Sequence, residues 1–70
     1  MAVLKTIMLT GVSEQGWEEA ARTALEEAAE TIEGIEWMDI KRYSARIEDN
    51  RIKEYRAVVK VTFKVERHKH

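Results

Sequence analysis

Residues 51–66 read RIKEYRAVVKVTFKVE. Tyr55, Ala57, Val59, Val61, Phe63 and Val65 share one parity; Glu54, Arg56, Lys60, Thr62 and Lys64 share the other, with Ile52 and Val58 among them. Alternation with a period of two marks a β-strand that packs one face and wets the other. The stretch therefore predicts a long strand laid against a second layer of structure.

Working backwards, Glu48-Asp49-Asn50 is a short polar turn, and residues 35–47, IEWMDIKRYSARI, form the preceding strand of a hairpin. Met38 and Ile40 suit its packed side. That choice puts Trp37, Asp39, Lys41 and Tyr43 on the opposite face, where water is expected. One of the two tryptophans of the chain thus falls on the polar side of a sheet.

The layer that covers the sheet precedes the hairpin. Trp17, Ala20, Ala21, Ala24, Leu25, Ala28 and Ile32 recur at intervals of three and four, the stripe of an amphipathic helix. Glu18 and Arg22 form an i,i+4 pair on its wet side, and Gly34 is a natural stop. Ser13 is the expected N-cap, with Glu14 near the positive end of the helix dipole. A stripe made mostly of Ala lets the helix sit close to a sheet. Residues 2–10, AVLKTIMLT, form a first strand, moderately apolar on both faces and closed by Gly11.

The order is β-α-β-β, an α+β fold with one helix against one face of a three-stranded antiparallel sheet. Strands of 13 and 16 residues run roughly 45–55 Å at about 3.4 Å per residue, far past a single helix. They must curl around it or extend into neighbours. No repeat or linker divides residues 1–70, which read as one domain.

A chain of 70 residues buries only about 60% of the surface it exposes when unfolded, so small folds usually carry a staple. There is no Cys, and the only His residues are His68 and His70, which excludes disulfides and argues against a zinc cluster. Self-association is the staple left. The charge balance, 12 Lys plus Arg against 13 Asp plus Glu, opposes a nucleic-acid binder. No apolar run approaches a membrane span, and no signal-peptide pattern opens the chain, so a cytoplasmic location is expected. Enzymatic chemistry is not expected: no interior His, reactive Cys, phosphate-binding glycine loop or placed carboxylate pair is present.

In order and spacing, LTGVSE (9–14), GWEEAARTALEEA (16–28), TIEGIEWMDI (31–40) and KEYRAVVKVTFKVE (53–66) resemble the dodecins. These are small flavin-binding proteins of β-α-β-β fold, and the resemblance spans essentially the whole chain. It implies a hollow, cubic-symmetric homododecamer with no nucleic-acid or membrane partner, about 98 kDa at 8.2 kDa per copy. It implies that Trp37 stacks on the isoalloxazine ring of riboflavin, FMN or FAD, two flavins being sandwiched between tryptophans across a two-fold axis. Flat ring systems gain dispersion and offset stacking in this way. The close contact quenches the excited flavin, so the implied role is storage or sequestration rather than turnover.

Glu36 and Met38, which flank Trp37, are expected in the same site. Arg42, Arg46 and Lys5 are candidates for a flavin phosphate or for the diphosphate of coenzyme A, which some relatives bind. As solvated charges on a polar strand, each also has an ordinary reading. On the residues alone Trp37 reads first as a subunit contact, stacking on protein, and Trp17 belongs to the core. The chain departs from the flavin-binding pattern at Arg56, where those relatives carry Gln. Arg offers donors only and cannot accept from the ring N–H. Stacked on Trp37, it would fill the site itself. Arg at this position resembles a branch linked to calcium, so the alternative is a dodecamer that holds calcium or coenzyme A and no flavin. Glu48, Asp49 and Asn50 offer oxygens, but without the ligand spacing of a calcium loop.

Overall fold

The computed structural model describes residues 2–65. It runs β1 (Val3–Ser13), α1 (Trp17–Ala29), β2 (Ile35–Glu48) and β3 (Arg51–Val65), with sheet order β1-β3-β2 and both pairings antiparallel. The expected architecture is therefore present. β3, the strand with the clearest alternation, is central and pairs on both sides. β1 and β2 run parallel to each other around it, and α1 makes the crossover between them.

The helix packs on β1 and β3 and touches β2 least. Its buried residues are Ala20, Ala21, Ala24 and Ala28, set against Ala57, Val59 and Val61 of β3. Ile7 and Leu9 of β1, Leu25 and Ile32, and Ile35 and Met38 of β2 flank this core half-buried. Val59 and Val61 are the largest side chains fully buried, so the core is thin. Small residues set the spacing between layers. A Cβ on Gly11 would stand 1.9 Å from the Ala20 carbonyl oxygen. Gly11 is thus an interior residue of β1 that lets the helix backbone lie against the strand. It does not end the strand, as its place after AVLKTIMLT suggested, and β1 continues to Ser13.

Two details at the helix ends depart from expectation. The N-cap is Gly16, with no side-chain capping bond; the Ser13 hydroxyl instead accepts from the Gln15 N–H at 3.0 Å, bending the chain before the helix begins. The helix proper closes at Ala29, although the Ile32 N–H still donates to the Ala28 carbonyl at 3.0 Å. That extra turn carries Ile32 onto the apolar stripe. Gly34 then reverses the chain with φ 77°, a conformation that costs other residues energy. Arg22 pairs with Glu18 at 3.7 Å and also with Glu19.

Bulges control which residues of β2 face the helix. The register shifts at Glu36, at Lys41 and, on β3, at Lys53. Met38 and Ile40 stand opposite Val61 and Val59 on the helix side, as expected; Trp37 and Asp39 stand opposite Thr62 and Lys60 on the other. Lys41 is an extra residue, and beyond it the alternation restarts in opposite phase. Tyr43, expected beside Trp37, stands opposite Ala57 on the helix side and lies 5.9 Å from the Trp17 ring. The molecule measures 59 × 19 × 13 Å. A helix of 13 residues covers about 20 Å, so the β2–β3 hairpin projects past its N-terminus. Asp49 and Asn50 turn the tip with φ 53° and 62°, the positive pair that a tight two-residue hairpin requires.

Candidate functional site: an exposed tryptophan on the open sheet face

The face of the sheet turned away from α1 has no layer over it in the single chain. Leu4, Thr6, Met8, Thr10 and Val12 of β1 lie on it, as do Arg56, Val58, Lys60, Thr62 and Lys64 of β3. β2 contributes Trp37, Asp39, Arg42, Ser44 and Arg46. Trp37 is 65% exposed, the most exposed large apolar side chain among the described residues. The bulge at Glu36 precedes it, and the small side chain of Thr62 is its cross-strand neighbour, with Thr6 beyond. Its Nε1–H donates to Asp39 Oδ1 at 3.2 Å. An indole held by its edge with its faces open is suited to receive another flat ring.

The second tryptophan is committed elsewhere. Trp17 Nε1–H donates to the Ser44 carbonyl at 2.8 Å, and its ring meets Tyr55 edge-on at 4.7 Å and Tyr43 at 5.9 Å. This cluster pins the start of α1 to the β2–β3 hairpin, but Trp17 remains 36% exposed, beside the core rather than in it as expected. The two tyrosine partners escaped the sequence reading. Tyr43 was hidden by the Lys41 bulge, whereas the helix-side parity of Tyr55 was visible.

The other expected site residues are dispersed. Glu36 and Met38 adjoin Trp37, Met38 on the helix side, and with Leu25, Ala29, Ile32, Gly34 and Ile35 they line a hollow of about 460 Å³ that reaches Trp37. Arg42 and Arg46 share the open face but lie further along β2, opposite Val58 and Glu54. Arg46 also reaches Glu48 at 3.9 Å. Lys5 stands opposite Phe63 on the helix side, so within one chain it is on the wrong face to meet a ligand lying on Trp37. Arg56 donates through Nε and Nη2 to Glu54 Oε1 at 3.3 and 3.0 Å. It is six residues along β3 from Thr62, the partner of Trp37, a separation of about 20 Å. Arg56 therefore cannot stack on Trp37 of its own chain. Within the turn, the Glu48 carboxylate faces Arg46 and Lys53. No group of three His, Cys, Asp or Glu suited to a metal occurs among the described residues, and His68 and His70 lie outside them. No helix of the described residues is long and apolar enough to cross a membrane.

One helix on a three-stranded sheet whose second face carries a bare tryptophan defines a small α+β module with one face of the sheet left uncovered. Comparison with known proteins places it among them. The family model for dodecin matches residues 3–66. A dodecin of Thermus thermophilus is 36% identical over 64 residues, 91% of this chain and 93% of the relative. The crystal structure of an arginine-to-alanine variant of T. thermophilus dodecin matches with TM-score 0.92 at 34% identity, over 96% of this chain and all of the other. Dodecin from Streptomyces coelicolor shares the fold, with TM-score 0.91 over 96% of each chain at 22% identity. The chain belongs to the dodecin family.

Proposed function

We propose that this dodecin binds a flavin (riboflavin, FMN or FAD) and holds it in store, with the isoalloxazine ring stacked on Trp37. The observation that carries this reading is the indole of Trp37, exposed on an uncovered sheet face while its N–H is already bonded. Leaving such an aromatic exposed to water has no structural benefit, whereas a flat ligand gains both area and stacking from it. Binding rather than turnover fits a chain without Cys and without His before position 68.

The same reading includes assembly into a closed homododecamer. Leu4, Met8, Val12 and Trp37 leave an apolar strip on the open face, and Ile40, Tyr43 and Ile47 are exposed on the helix side of β2. Apolar surface on both faces of so thin a molecule favours partners drawn from its own kind. Stacking between copies would also bring a second tryptophan to the ligand.

A riboflavin titration tests the proposal. Strong quenching of flavin fluorescence is expected, and Trp37→Ala should remove it. Absence of quenching with protein on the order of tens of micromolar would overturn the reading.

A further inference from the structure

The two indoles are tied in contrasting ways. Trp17 is held by its N–H and by two tyrosine rings, so most of its surface is engaged within the chain, although it remains 36% exposed. Trp37 is held by its N–H alone, on the carboxylate of Asp39. We propose that Asp39 is a positioning residue: it fixes the indole of Trp37 in one orientation, so that a flat aromatic ligand meets a preformed stacking plane. For its effect on binding this inference rests on the flavin reading above; for the held indole it does not.

The geometry follows from the strand. Residues two apart on one strand emerge on the same face about 7 Å apart, within reach of an indole edge and a short carboxylate. The N–H lies in the plane of the indole, so bonding it leaves both π-faces free. A carboxylate acceptor makes the bond charge-assisted, and Asp39 has a firm base because its backbone is laddered to β3 opposite Lys60. Without this bond an exposed indole on an edge strand samples several rotamers. A ligand would then have to select one of them, and ordering a side chain on binding weakens affinity. Lys60 places a positive charge across from Asp39, on the strand that already carries the small Thr62 beside the ring.

The test uses the full chain with 15N-labelled indoles, first without ligand. The Trp37 N–H signal is identified by its loss in Trp37→Phe. Asp39→Ala should shift that signal, speed its exchange with water and leave the Trp17 signal in place. Riboflavin affinity should fall about three- to tenfold, the scale of one such hydrogen bond. Asp39→Asn, which keeps an acceptor oxygen, should restore most of both. Asp39 is exposed, so its replacement should not unfold the chain. A Trp37 signal indifferent to Asp39→Ala overturns the proposal, and so does a shifted signal with undiminished riboflavin affinity. If the parent protein leaves riboflavin unquenched while the Trp37 signal still depends on Asp39, the flavin reading falls and the held indole stands.

Discussion

Arg56 and Trp37 share a face of the sheet but are separated by about 20 Å within one chain. Any meeting between them is therefore a meeting between copies. The exposed pairing of Arg56 with Glu54 is worth less than about 1 kcal/mol, so it does not commit the guanidinium. Arg56→Gln would supply the acceptor expected of a flavin site, and under the proposed function it should tighten riboflavin binding. The quenching titration reads the result; an unchanged affinity would place residue 56 outside the site. At this scale the sequence was informative wherever simple alternation held. The outward face of Trp37 followed from its parity with Asp39, and the helix-side place of Tyr55 followed from its parity with Ala57. Tyr43 was misplaced because Lys41 inserts one residue into β2, and nothing in the local composition marks that insertion. The bond from Trp37 to Asp39 was within reach of the same alternation, which had put both on one face, but a shared face does not specify a hydrogen bond.

At the scale of elements, the join between α1 and β1 depends on missing atoms. Gly11 lies under Ala20 and Ala24, with the carbonyl of Ala20 where a Cβ would project. Because the obstacle is helix backbone, it cannot turn aside as a flexible side chain can. Gly11→Ala should force the layers apart and destabilise the fold by about 1–3 kcal/mol, measured as a lower denaturant midpoint with little change in slope. A variant as stable as the parent would mean that the helix shifts without penalty. The helix and the three strands were legible because their apolar periods are long and distinct. Their ends were less so. Glycine after an apolar run usually punctuates a strand, and here it serves close packing instead. Ser13 has the chemistry of an N-cap, yet its hydroxyl is used one turn too early, on Gln15.

For the whole molecule, the balance lies between a thin core and two partly apolar faces. Among the described residues, seven small buried side chains, four of them alanines of one helix, make a slight core. The closed dodecamer proposed above should sediment near 98 kDa, twelve times the 8.2 kDa chain. A stable 8.2 kDa species would contradict it. Met8, exposed in the middle of the open face of β1, offers a direct probe. Met8→Lys should place a charge in the interface and shift the population towards smaller species in sedimentation, without loss of secondary structure in the subunits that remain folded. Assembly is an expectation from length and the absence of Cys, because those set how much a chain must bury. Which surfaces would meet is not legible in the sequence, since that depends on the shapes of two surfaces and not on periodicity.

The strand order β1-β3-β2 also has a meaning in time. The central strand is the last of the three to leave the ribosome. Until residues 51–65 are available, β1 and β2 have neither a common partner nor each other, since they are not neighbours in the sheet. The helix can form early, but its alanine stripe has only one edge strand to rest on. Closure of the sheet thereby waits for residues 51–65 and then engages every element at once. A nascent chain stopped short of β3 would expose its apolar stripe and unpaired strands with no stable fold to adopt.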